Sequence, residues 1–99
     1  MLDREFFLGF VKIHILYHAS KEPVFGVEIT HELARLGYTL SPGTLYPTLH
    51  RLEKDGYLES KSKVVKGRVR KYYQATARGR KMLDESRQNI RELVTDILK

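Results

Sequence analysis

Cysteine and tryptophan are both absent from this 99-residue chain. Without cysteine there is no disulfide and no thiolate-ligated metal, a composition suited to a reducing compartment. Long apolar runs are missing too. The longest, FFLGFVKIHILY, spans twelve residues and contains Lys12, whereas a bilayer-crossing helix needs about twenty. No charged, then apolar, then small-residue leader opens the chain, so a cytoplasmic protein with no membrane partner is expected. There is no glycine-rich phosphate loop and no concentrated set of acids and bases, so no enzyme activity and no cofactor is expected. His14 and His18 stand one helical turn apart, a spacing that can chelate zinc. The flanking helix is apolar, and satisfied or interface histidines are the preferred reading, with no metal.

Acidic residues are missing from one segment in particular. Residues 60–83 hold nine of the eighteen lysines and arginines and none of the twelve aspartates and glutamates. The remainder is nearly balanced, with nine bases against twelve acids. Cations without interspersed anions repel one another, and a polyanion relieves that repulsion. The chain as a whole, 41% hydrophobic and 30% charged, has the composition of a single folded domain that buries roughly two-thirds of its unfolded surface.

The periodicities that are present run helix, helix, helix, strand, strand, helix. Leu2 to Ser20 is expected as a first helix, apolar nearly all round and stopped by Lys21-Glu22-Pro23. A domain this small covers one side of such a helix, so a second subunit is expected on the other, over Phe6, Phe7 and Phe10. Phe25 to Leu36 forms a second helix, with Ile29, Leu33 and Leu36 on one face and Gly37 as its C-terminal cap. Ser41 caps a third helix that has Pro42 in its first position and Gly56 past its end. These two helices are a helix-turn-helix candidate. YLESKSKVV and RVRKYYQAT, joined through Lys66-Gly67, alternate as a hairpin. Thr76 can cap a last helix reaching about Leu98. In it Leu83, Ile90 and Ile97 recur every seventh residue, with Leu93 and Val94 beside them, a seam suited to the same helix of a second copy. The competing expectation is that this helix folds back on its own core.

The resulting fold class is mainly α with a small β-hairpin wing: a winged helix-turn-helix at residues 1–76 and a C-terminal dimerisation helix at 77–99. In the third helix, SPGTLYPTLHRLEKDG, Leu45, Leu49 and Leu52 face the core. Gly43, Pro47, His50, Arg51 and Lys54 then face outward, with Thr44 and Tyr46 on the flanks and Ser41 at the start. In a helix-turn-helix this element enters the major groove and meets bases near its N-terminus. Gly43, lacking a side chain, lets backbone amides approach a phosphate. Pro47 costs a helix interior about 3 kcal/mol. Two readings of it stand open: a compact outward surface for a thymine methyl, or a kink that seats the helix on the core. Arg51 suits a guanine edge or a phosphate. On the hairpin, Lys61, Lys63, Lys66, Arg68, Arg70 and Lys71 suit a phosphate backbone, with counterion release as the driving force. Tyr72 and Tyr73 point to opposite faces. Tyr73, sharing a face with Ala75, is assigned to the core, and the Tyr72 hydroxyl to a phosphate.

SPGTLYPTLHRLEKDGYLES followed by GRVRKYYQATARG resembles the PadR family of winged-helix transcriptional regulators. The resemblance runs through almost the whole chain, including the first helix and the FGVEI segment. The short last helix is similar to that of the small subgroup lacking an extended C-terminal domain. The resemblance implies a homodimeric DNA-binding repressor paired through its last helices, with Tyr46, Lys71 and the wing arginines on the DNA side. Ala75 departs from the bulkier aliphatic usual in the family. Some members bind flat aromatic compounds between protomers. Such a hydrophobic or aromatic small-molecule effector would here have to stack on Phe6, Phe7, Phe10 or Tyr17, and an orphan regulator without an effector is the competing expectation.

The expectation is therefore a cytoplasmic homodimer bound to double-stranded DNA at a palindromic operator. A winged helix used only for protein contact would have no need of six unopposed wing cations. A sequence-independent chromosomal binder would have no need of the varied outward set Thr44, Pro47, His50 and Arg51.

Overall fold

The computed structural model describes residues 3–99. The chain runs α1 (Arg4–Lys21), β1 (Val24–Phe25), α2 (Gly26–Arg35), α3 (Pro42–Lys54), β2 (Leu58–Val65), β3 (Arg68–Ala75) and α4 (Ala77–Ile97). None of these helices is long and apolar enough to cross a membrane.

Asp3 caps α1, its carboxylate accepting the Glu5 N–H at 2.8 Å. That cap starts the helix at Arg4 rather than at Leu2, which lies outside the described residues. Phe25, expected inside the second helix, is extended instead (φ −105°, ψ 162°) and precedes it. The reason is tertiary. Val24 pairs with Tyr73 and Phe25 with Tyr72, adding a two-residue strand to the hairpin. Glu28 then turns back to accept the Phe25 N–H at 3.0 Å, marking the start of α2. The sheet is antiparallel in the order β1-β3-β2.

At the hairpin turn both Lys66 (φ 51°) and Gly67 (φ 76°) lie in the left-handed region. Positive φ at both central residues is the type I′ arrangement, whose twist matches that of the flanking strands. The resulting register pairs Leu58 with Ala75, Ser60 with Tyr73, Ser62 with Lys71 and Val64 with Val69. All of these share one face, because strand side chains alternate. The first two pairs close over the core; the last two extend that face beyond it into solvent.

The core gathers Val11, Ile15, Leu16 and Ala19 from α1, Ile29 and Leu33 from α2, and Leu45, Leu49 and Leu52 from α3. Leu58, Tyr73 and Ala75 cover it from the sheet. Each fully buried leucine or isoleucine contributes about 1.5–3 kcal/mol of transfer free energy. Thr76 secures the start of α4: its hydroxyl accepts the Gly79 N–H at 3.0 Å and donates to the Gly56 carbonyl at 2.6 Å. The first turns of α4 pack on α1. Leu83, expected on a seam between two copies, is only 3% exposed and belongs to this chain's own core. From Arg87 onward every residue of α4 is exposed, so the rest of the helix projects past the body.

Candidate nucleic-acid interface

Leu45, Leu49, Leu52 and Thr48 are buried on one side of α3, which turns the opposite side outward. Gly43, Tyr46, Pro47, His50, Arg51 and Lys54 are exposed there, with Thr44 half-buried at the edge. The helix runs unbroken through Pro47, whose ring faces solvent. Thr48, the next residue, donates its hydroxyl to the Thr44 carbonyl at 2.7 Å. Ser41 occupies the N-cap position, but its hydroxyl lies 3.3 Å from that of Thr44 and caps no backbone amide. The Arg51 Nε donates to Asp55 Oδ2 at 3.3 Å. Both groups are largely exposed, and a pair of that kind holds with less than about 1 kcal/mol, so Arg51 is free to exchange Asp55 for another acceptor.

Register sorts the wing cations, which composition alone groups together. Lys71 shares the face of Tyr73 and therefore looks toward the α3 side. Lys61, Lys63, Arg68 and Arg70 alternate with it on the other face, along with Tyr72, and Lys66 stands at the turn. Two of them lie over rings. The Arg70 guanidinium lies 4.7 Å from the Phe25 centroid, Phe25 meets Tyr72 edge-on at 5.4 Å, and the Lys63 ammonium lies 5.7 Å from the Tyr72 centroid. Tyr72 thus faces away from α3, half-buried among these neighbours. Tyr73 is inward as expected, 1% exposed. Its phenol pKa is pushed up, first by burial and then by the Glu53 carboxylate and the Tyr46 phenol.

Because β1 pairs only with Tyr72 and Tyr73, the edge of β3 from Arg68 to Lys71 is unpaired on that side. Between this edge, the start of α2 and the flank of α3 lies a groove of about 480 Å³. Arg68, Arg70, Lys71, Tyr46 and His50 line it, together with Phe25, Gly26, Val27, Val69 and Tyr73. Among the described residues no carboxylate does. Arg68 and Arg70 reach it from the strand edge, which reunites them with Lys71. Lys54 and Arg51 lie further along α3, outside the groove but on its outward side. Charge does not single out Phe25, Gly26 and Val27, which carry none; their place follows from the β1–β3 pairing alone. Above the groove the exposed cross-strand pair Val64 (68%) and Val69 (71%) forms an apolar tip.

Outside the groove, Phe6 and Phe10 of α1 are exposed, as are Ile90, Leu93, Val94 and Ile97 of α4. Phe7 is different: its ring packs on Tyr38 of the same chain at 5.4 Å, and it is half-buried without a second copy. His14 also lies against Tyr38, at 5.2 Å, and His18 meets Tyr17 edge-on at 5.2 Å.

The sequence profile described as the transcriptional regulator PadR-like family matches residues 15–85. A transcriptional regulator of Mycobacterium tuberculosis is 53% identical over 95 residues, covering 96% of this chain and 89% of that one. Among solved structures, the fold is similar to a PadR-like transcription factor from Bacteroides fragilis, with a TM-score of 0.84, 30% identity, and coverage of 94% of this chain and 91% of that one. A PadR-like transcriptional regulator from Bacillus cereus superposes with a TM-score of 0.78 at 33% identity, over 92% of this chain and 93% of its own.

Proposed function

Since this chain belongs to the PadR-like family of transcriptional regulators, we propose that it is a sequence-specific repressor, cytoplasmic, that binds a palindromic operator as a homodimer. The carboxylate-free groove between α3 and the β3 edge carries this reading, because it sets three wing cations beside the outward face of the helix. With α3 in the major groove, Gly43, Thr44, Pro47, His50 and Arg51 meet base edges, and Ser41 and Lys54 lie at the two ends of that contact. Tyr46, Lys66, Arg68, Arg70 and Lys71 meet phosphates on either side. Pairing of two chains through Ile90, Leu93, Val94 and Ile97, with Phe6 and Phe10 alongside, sets the heads about 34–36 Å apart, one turn of duplex. Residues up to 76 act as the DNA-binding part, and the projecting helix from 77 as the pairing part. An aromatic effector, where one is used, stacks on the phenylalanines of that same contact and shifts the angle between heads. Occupancy of a promoter then blocks transcription.

Selection of random duplexes by the purified protein, followed by salt titration of the winner, tests this. The expected product is an inverted repeat whose binding weakens steeply with salt. An unenriched pool leaves a sequence-independent binder. No binding at low salt leaves a protein-contact module.

A further inference from the structure

Gly26 stands at the first position of α2 with no positive φ to require a glycine, and alanine is the better helix former. What a Cβ would meet there is Tyr46: its hydroxyl at 2.8 Å, Cε1 at 2.9 Å and Cζ at 3.1 Å. Those atoms are the far end of a side chain that is 41% exposed, so the ring has solvent to swing into. Only the missing methyl lets it lie across the first turn of α2. In that position the Tyr46 hydroxyl forms part of the groove wall, in the company of Arg70, Lys71 and His50.

We infer that Gly26 is a positioning residue for DNA binding: it holds the Tyr46 phenol against α2, with its hydroxyl aimed to donate to a backbone phosphate that Lys71 also faces. The inference rests on the DNA-binding reading above. It makes Gly26 act wholly through Tyr46, so the two residues form one functional unit although they lie far apart in the sequence. A bulkier residue at this position turns the ring outward, leaving the groove wall without its donor while the core beneath is untouched.

A four-member cycle tests it: the wild-type chain, Gly26→Ala, Tyr46→Phe and the double variant, with duplex affinity and melting temperature measured for each. Gly26→Ala is expected to melt at or above the wild-type temperature yet to bind about tenfold more weakly, the loss that goes with one hydrogen bond to a charged group. The loss should be equal for operator and scrambled duplexes, since a phosphate carries no sequence. In the Tyr46→Phe background, Gly26→Ala should add little. Wild-type affinity in Gly26→Ala overturns the inference. So do losses that multiply in the double variant and accompany a lower melting temperature, which would make Gly26 a packing residue; Gly26→Ser repeats the comparison with a second side chain. Failure of the wild-type chain to bind any duplex overturns the DNA reading itself, and this inference with it.

Discussion

His14 lies against the Tyr38 ring, and burial, then repulsion from His18, holds its pKa below the ordinary 6.5. In the unfolded chain the imidazole regains that ordinary value, so the unfolded state takes up the proton first. The stability associated with this group is therefore complete above pH 6.5 and is lost as pH falls from there through the lower folded-state value. Urea unfolding between pH 8 and pH 5 should show that decline, and His14→Gln should flatten it. An unaltered slope in His14→Gln would assign the decline to other groups. Sequence placed His14 and His18 on adjacent turns, but it did not show that Tyr38 would lie against His14. Tyr38 comes from the link between α2 and α3, and no periodicity connects it to α1. The core leucines of α3 were legible, by contrast, because helical spacing alone puts 45, 49 and 52 on one side.

At the scale of elements, the wing was visible from its alternation and its Lys66-Gly67 turn, and the register then separated what composition had merged. Lys71 is the cation that β3 turns toward α3, whereas Lys61 sits opposite Tyr72 on the other face. Each phosphate that the protein ceases to neutralise lowers the slope of log affinity against log salt by about 0.9. Lys71→Ala is expected to reduce the slope by about one unit and Lys61→Ala to leave it unchanged, as salt titrations of both variants on one duplex would show. A reduced slope in Lys61→Ala would extend the phosphate contact from the β3 edge to β2. The short β1 strand had no sequence signal at all. Two residues cannot display a period, and Phe25 is extended because Tyr72 lies beside it, not because of its own preference.

Across the whole molecule the seven-residue spacing of α4 proved to serve two surfaces. Leu83 closes this chain's core, and the residues from Ile90 onward project into solvent. Leu83→Ala is expected to destabilise the fold by about 2–5 kcal/mol in denaturant unfolding. Leu93, 50% exposed, has little to lose within one chain. On the proposed pairing through α4, Leu93→Glu should leave the folded head intact and shift the protein from dimer to monomer in sedimentation, with operator affinity falling accordingly. A dimer that persists in Leu93→Glu would move the pairing contact to another surface.

The order of the four helices and the two wing strands, the helix-turn-helix with its wing, and the inward leucines followed from the chain alone, because they depend on neighbours three, four or two residues away. The family was legible for the same reason, since its motifs are contiguous. Which cations share a groove with Tyr46, why residue 26 is glycine, and which part of α4 is core depended on residues far apart in the chain meeting in space. Those were decided by strand pairing and close packing, which fix distances that no local period contains.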